Sequence, residues 1–161
     1  VLKGAQLFHV WGACEHRPTR DLDLLGFGNP SEDAIGSIFA ELIQAPTEPE
    51  DGLEWGEIRT STIRDDVTYG GTRVIIPASL AGARLSLQID IGFGDAVTPE
   101  PREADWRELL DFPAARLLVY PSETVIAEKL EAVVSLGLRN SRMKDFYDLH
   151  WIATHFDLDP A

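Results

Sequence analysis

The chain has a single cysteine, Cys14, among 161 residues, so an internal disulfide is impossible and the fold does not depend on an oxidising compartment. It has no apolar run approaching the roughly 18–20 residues that cross a bilayer, which argues against a membrane-spanning helix. Val1-Leu2-Lys3-Gly4 does not read as a signal peptide, lacking a basic leader followed by an apolar stretch, so a cytoplasmic protein is expected. Val1 falls in what reads as the end of a strand, and an earlier natural start is expected. Cations are scarce. With 14 basic against 27 acidic side chains the formal net charge is −13, and such a surface repels phosphate backbones. Nonspecific coating of nucleic acid is therefore excluded, and any RNA substrate must meet a local basic patch. Gly26-Phe27-Gly28 and Gly92-Phe93-Gly94 lack the full spacing of a dinucleotide or Walker loop. His9, His16, His150 and His155 lack zinc spacing, and Cys14 has no cysteine partner. No internal repeat is visible, which argues against a solenoid.

What remains is a chain of ordinary globular composition, with 44% apolar and 25% charged residues, in which strand and helix patterns alternate. Lys3–Phe8 reads as a strand end turning into a short helix, and Asp21–Leu25 as a strand closed by Gly26 and Gly28. Asn29 as N-cap, Pro30 and Glu32 predict a helix start. Ile35, Ile38, Phe39, Leu42 and Ile43 then give that helix an apolar face. After a polar loop, Pro46 to Gly52, strands are expected around Ile58–Ile63 and Thr72–Ile76, joined through Gly70-Gly71 as a tight hairpin. A strand over Arg84–Ile91, a proline-containing connection over 98–113, a short strand at Leu117–Val119 and helices near Ser122–Leu136 and Ser141–His155 complete the pattern. The expected class is α+β, a mixed sheet with packed helices and a helical end. Residues 1–113 are expected to form the sheet-rich core and 114–161 the beginning of a helical lobe.

Asp21 and Asp23 are two residues apart on one strand, so their carboxylates share a face while Leu22 and Leu24 take the other. Two acids held together repel, and a cation relieves that repulsion. Hard oxygen donors suit Mg2+ or Mn2+, which also bind substrate phosphates. An Asp-x-Asp pair alone also occurs in calcium loops, glycosyltransferases and plain exposed strands. In Leu85–Ile91, Leu87, Ile89 and Ile91 alternate with Gln88 and Asp90. If this strand lies beside Asp21–Leu25, three carboxylates converge, as metal-assisted phosphoryl or nucleotidyl transfer requires.

Among the cations, Lys129 has only apolar neighbours at helical spacing (Val125, Ile126, Ala132 and Val133), so its amine either reaches solvent or meets a buried anion or a phosphate. Arg139, Arg142 and Lys144 make the densest basic cluster, suited to a triphosphate or an RNA end. Asp145 and Asp148 fall near a helix N-terminus, where the helix dipole favours acids in any case.

Taken in order, Leu2-Lys3-Gly4, Arg17-Pro18-Thr19-Arg20-Asp21-Leu22-Asp23-Leu24, Gln88-Ile89-Asp90-Ile91, Ala127-Glu128-Lys129-Leu130 and Ser141–Leu149 resemble the AbiEii/AbiGii nucleotidyltransferase family. The resemblance runs from residue 1 to about residue 155. It implies a polymerase-β-like nucleotidyltransferase core with a mixed sheet, followed by a helical lobe that the chain enters without completing. It also implies the toxin of a toxin–antitoxin or phage-defence pair, with a cognate antitoxin as partner. The implied chemistry is Mg2+-dependent transfer of a nucleotide from an NTP to an acceptor hydroxyl, tRNA being one acceptor class. Carried over by residue, Asp21, Asp23 and Asp90 become metal-binding acids, and Lys129 and Asp145 catalytic. Lys3, Gly4, Ala5, Arg142 and Lys144 become nucleotide-binding. Asp145 either orients Lys129 or helps bind the nucleotide. Ala5 stands where the family usually has glycine or serine, which keeps a backbone N–H for phosphate but removes a hydroxyl. A catalytically degenerate, nucleotide-binding partner protein is the alternative.

Overall fold

The structure is a computed structural model that describes residues 1–13, 17–46, 50–63, 70–106 and 114–157. Cys14 and His16 lie outside them, as does part of the expected loop after Pro46. The chain gathers into two compact units. One comprises Val1–Ala96 and Glu103–Val119, the other Val97–Arg102 and Tyr120–Ala161.

The first unit is built on a mixed sheet. Among the described residues it contains β1 (Leu2–Lys3), β2 (Asp21–Gly26), β3 (Leu53–Trp55), β4 (Arg59–Ile63), β5 (Gly71–Leu80), β6 (Ala83–Phe93), β7 (Arg102–Trp106) and β8 (Ala115–Val119). Their order is β3-β5-β6-β2-β1-β8-β7, with β4 also pairing β5. The ten-residue β5 takes β4 along its first half and β3 along its second. Pairing of β2 with β6 is parallel, and β1 is antiparallel to β2.

One face of this sheet carries the core. Val74, Ile76, Ile89 and Ile91 are buried with Ile35, and Leu22, Leu24, Phe39, Ile43 and Phe93 pack around them. Period-two alternation in β5 and β6 puts these branched side chains on the same side, where helix α2 (Glu32–Gln44) supplies Ile35, Phe39 and Ile43. Those three follow a strict i, i+4, i+8 stripe. Ile38 and Leu42, expected in the core, are more than half exposed because they lie on the shoulder of that stripe. Leu87, also expected in the core, is 39% exposed, whereas Ile89 and Ile91 are buried.

Three local expectations are corrected. The N-cap of α2 is Ser31, whose Oγ accepts from the Ala34 N–H at 3.3 Å, while Asn29 Oδ1 accepts from the Ser31 N–H. The Ser31 bond reaches an amide of the first helical turn, whereas the Asn29 bond stops at the cap residue itself. Gly70-Gly71 is not the tight turn. Gly71 already pairs with Ile63 as the first residue of β5, and residues 64–69 before the pair lie outside those described. Among the described residues a two-residue hairpin is formed by Ala81-Gly82 between β5 and β6, closed by the Leu80/Ala83 pair with φ of 48° and 84°. Finally, the expected connection over 98–113 contains β7, and residues 107–113 lie outside those described.

The second unit holds α3 (Ser122–Leu136), a 3-10 turn at Gly137–Arg139 and α4 (Met143–His155). The last helix starts two residues later than expected, after Arg142. Tyr120, Val125 and Ile152 are fully or almost fully buried in this part of the chain. Thr124 Oγ1 donates to the Thr98 carbonyl and accepts the Thr98 N–H, tying the start of α3 to the 97–102 segment. No helix among the described residues is long and apolar enough to cross a membrane.

Ala81 is a non-glycine residue at positive φ, where the Cβ meets backbone at a cost of about 1–2 kcal/mol. A two-residue turn with positive φ at both positions favours Asn-Gly. Ala81→Asn is expected to raise the free energy of unfolding by about 1 kcal/mol, read from urea denaturation, with unchanged slope.

Candidate active site

The acid face of the sheet lies opposite the α2 core. Asp23 on β2 pairs directly with Asp90 on the parallel strand β6, and Asp21 pairs with Gln88. Asp21, Asp23 and Asp90 thereby offer one carboxylate oxygen each within 4.8 Å of one another, all three half-buried. This is the donor set of a hard divalent cation: oxygen only, close together, with access left for water and phosphate. The residues present fit such an ion.

Two further observations shape the site. Gly4 follows β1 with φ +72°, and a Cβ built there would lie 2.0 Å from Asp23 Oδ2. The chain can pass over the Asp23 carboxylate only because residue 4 has no side chain. Asp21 Oδ1 accepts from Thr19 Oγ1 at 2.5 Å, fixing one oxygen of the first acid. Both constraints hold carboxylates in place before any ligand arrives.

Cations flank the acids. Lys3 pairs with Asp23 across β1 and β2, and its Nζ donates to Asp95 Oδ2 at 2.5 Å. On the other side, Arg73 pairs with Asp90 across β5 and β6. Its Nε and Nη2 donate to the two oxygens of Asp90, each at 2.7 Å. Gln88 Nε2 adds a long contact to the same carboxylate at 3.4 Å. Arg73 and Asp95 were given no role in the sequence reading. The sequence shows Arg73 only as a polar alternate in Thr72-Arg73-Val74-Ile75-Ile76; its pairing with Asp90 depends on the register of β5 on β6.

The other expected residues are distributed as follows. Gly4 and Ala5 form the turn into the five-residue helix α1 (Gln6–Val10), with Ala5 in helical conformation at its cap. In the helical unit, Lys129 on α3 is nearly buried and donates to Asp145 Oδ1 at 3.0 Å and Asp148 Oδ2 at 2.6 Å on α4. The amine meets two buried carboxylates, where the sequence pointed to solvent or a phosphate, and Asp145 is one of them. Arg142 Nε lies 2.9 Å from Asp145 Oδ2, an ion-pair distance without hydrogen-bond alignment, and that oxygen has no hydrogen-bond partner among the described residues. Lys144 and Arg139 are exposed. Asp148, expected only as an acid near a helix N-terminus, is completely buried.

Comparison with known proteins decides the family. The description "nucleotidyl transferase AbiEii toxin, type IV TA system" matches residues 1–161, the whole chain. The chain belongs to the AbiEii nucleotidyltransferase toxin family. Among curated proteins none matches it. Two crystal structures from Helicobacter pylori share its fold. JHP933 superposes with a TM-score of 0.59 at 20% identity, covering 97% of this chain and 58% of that one. A protein put forward as a nucleotidyltransferase gives 0.58 at 20% identity, covering 97% and 60%. This AbiEii chain thus spans under two thirds of the length of either structure.

Two outcomes follow from this geometry. Gly4→Ala drives a methyl group into Asp23, so Mn2+ binding, followed by calorimetric titration, is expected to weaken by about 10–100-fold. Lys129→Met leaves two buried carboxylates without their shared cation and is expected to cost about 3–5 kcal/mol of unfolding free energy, measured by denaturant titration.

Proposed function

We propose that this AbiEii chain carries the catalytic centre of a nucleotidyl transfer from an NTP to an acceptor hydroxyl, in a toxin paired with a cognate antitoxin. The observation that carries the reading is the convergence of Asp21, Asp23 and Asp90 from two parallel neighbouring strands. Mg2+ or Mn2+ held by them would supply charge neutralisation for the triphosphate and activation of the attacking oxygen.

The chain's own residues then have distinct tasks. Asp21, with one oxygen fixed by Thr19, and Asp23, lodged against Gly4, present preorganised oxygens, so little ordering is left for the moment of reaction. Lys3, on the same side of the sheet as Asp23, is the proposed cation for phosphate on the strand side, exchanging its Asp95 contact for the nucleotide. The backbone N–H of Ala5 is the second proposed phosphate contact. In the helical unit, Arg142 and Lys144 are exposed cations suited to the nucleotide or to an RNA end, and tRNA is the proposed acceptor class. Lys129 and Asp145 are proposed to act as one unit, since each already bonds the other. In the transfer, an acceptor hydroxyl attacks the α-phosphorus, the bond to the β-phosphate oxygen breaks, and pyrophosphate leaves with that electron pair. The acceptor's proton goes to solvent or to a carboxylate of the site.

Incubating the protein with each labelled NTP, Mg2+ and total cellular RNA tests the reading. Label is expected in RNA or protein, and it should fall to background in Asp21→Ala/Asp23→Ala. Nucleotide binding without any transfer would instead favour the degenerate, partner-binding role and overturn catalysis.

A further inference from the structure

The last motif buries its acids and leaves a cation outside them. The side chain of Lys129 is 12% exposed and that of Asp145 2%, whereas that of Arg142 is 49% exposed. Asp145 divides its carboxylate between the two. Its Oδ1 accepts from Lys129 Nζ at 3.0 Å, and its Oδ2 lies 2.9 Å from Arg142 Nε. The backbone of Arg142 is held as well, its N–H donating to Asn140 Oδ1 at 2.8 Å. Contact with Asp145 runs through Nε, and neither Nη group of Arg142 makes a hydrogen bond among the described residues. Beside it, Asn140 Nδ2 is a buried donor with no hydrogen-bond partner among the described residues. Donors that lack acceptors suit an oxyanion.

We infer that Arg142 is a phosphate ligand aimed by Asp145, and that Lys129 serves by holding Asp145 and not by meeting the substrate. Phosphate as the ligand class rests on the reading of this chain as a nucleotidyl transfer centre. An exposed arginine samples many rotamers, and ordering it on binding costs affinity. A buried carboxylate against Nε removes much of that freedom and leaves the planar Nη end to take phosphate oxygens. That carboxylate must itself stay fixed, which is the task of Lys129: its amine points inward, onto Asp145 and Asp148. Asp145 Oδ2 has no aligned hydrogen bond as it stands. Phosphate drawing the guanidinium into line would supply that oxygen with its donor. Asp145 and Lys129 are therefore positioning residues, and Arg142 is the group that touches the ligand.

Calorimetric titration of the full chain with inorganic tripolyphosphate, and separately with tRNA, both in EDTA, tests this without any transfer reaction. Arg142→Ala is expected to weaken binding about tenfold. Arg142→Lys keeps the charge and loses the fork, and should weaken it nearly as much. Asp145→Asn decides between charge and position. Removing a negative charge beside a phosphate should tighten binding on charge alone, whereas releasing Arg142 from its support should weaken it about threefold. In an Arg142→Ala background the same change should weaken nothing further. The titrant that responds names the source of the phosphate, nucleotide or RNA end. Asp145→Asn binding as tightly as wild type or more so, or a loss that persists without Arg142, would overturn the inference. So would Arg142→Lys matching wild type, or neither titrant responding to Arg142→Ala. Should Asp145→Asn not fold, Arg142→Lys, at a half-exposed position, still decides. Failure of the underlying reading is separable: wild type would then transfer no label from any NTP, while the titrations still report on Arg142.

Discussion

Two like charges, Asp23 and Asp90, are held opposite each other by the parallel pairing of β2 with β6, and the acid face is arranged around that repulsion. Six consecutive register pairs run from Asp21/Gln88 to Gly26/Phe93, and the core beneath them, Leu22, Leu24, Ile89 and Ile91, sets that register. A slip of one residue would turn the carboxylates into the core and the isoleucines into water. The hydrophobic face therefore fixes the position of the acid face. Lys3 and Arg73, set opposite Asp23 and Asp90 on the flanking strands, and the glycine over Asp23 contribute to holding the arrangement without a ligand.

Much of this was legible in the sequence, and the reasons are specific. Asp-x-Asp on an alternating strand fixes that its two acids share a face, because the period of a strand is two. Strict alternation in Leu85–Ile91 likewise assigned Asp90 to a polar face. Whether the two strands are neighbours is a long-range fact that period cannot supply; there the family motifs stood in for geometry. The fork of Arg73 lay beyond reach for the same reason, since it depends on β5 pairing with β6 in one register. Local turn chemistry also misled. Gly70-Gly71 looks like a turn, yet Gly71 is already paired in β5, while the separate β5–β6 hairpin uses Ala81, a residue with no turn signal. The short β3 and β7 carry too few alternating residues to register as strands.

The helical unit shows a different economy of charge. Lys129, flanked by apolar residues on its helix, was ambiguous between solvent and a buried anion such as phosphate. The structure holds it between Asp145 and Asp148, both almost completely buried. Arg142 lies at ion-pair distance from the second Asp145 oxygen. The sequence of the last motif, Lys144-Asp145-Phe146-Tyr147-Asp148, places both acids on the inward side of α4 by their spacing of three. A buried network of this kind locks the α3–α4 pairing to one arrangement, because any sliding would strand a charge.

The account depends on three carboxylates forming one cation site. Crystals of the protein soaked in Mn2+ and measured for anomalous scattering test that directly. The account predicts a peak bounded by oxygens of Asp21, Asp23 and Asp90 at roughly 2.1 Å, with the Arg73 fork to Asp90 intact. A peak elsewhere on the chain, or none among these three residues, would contradict it.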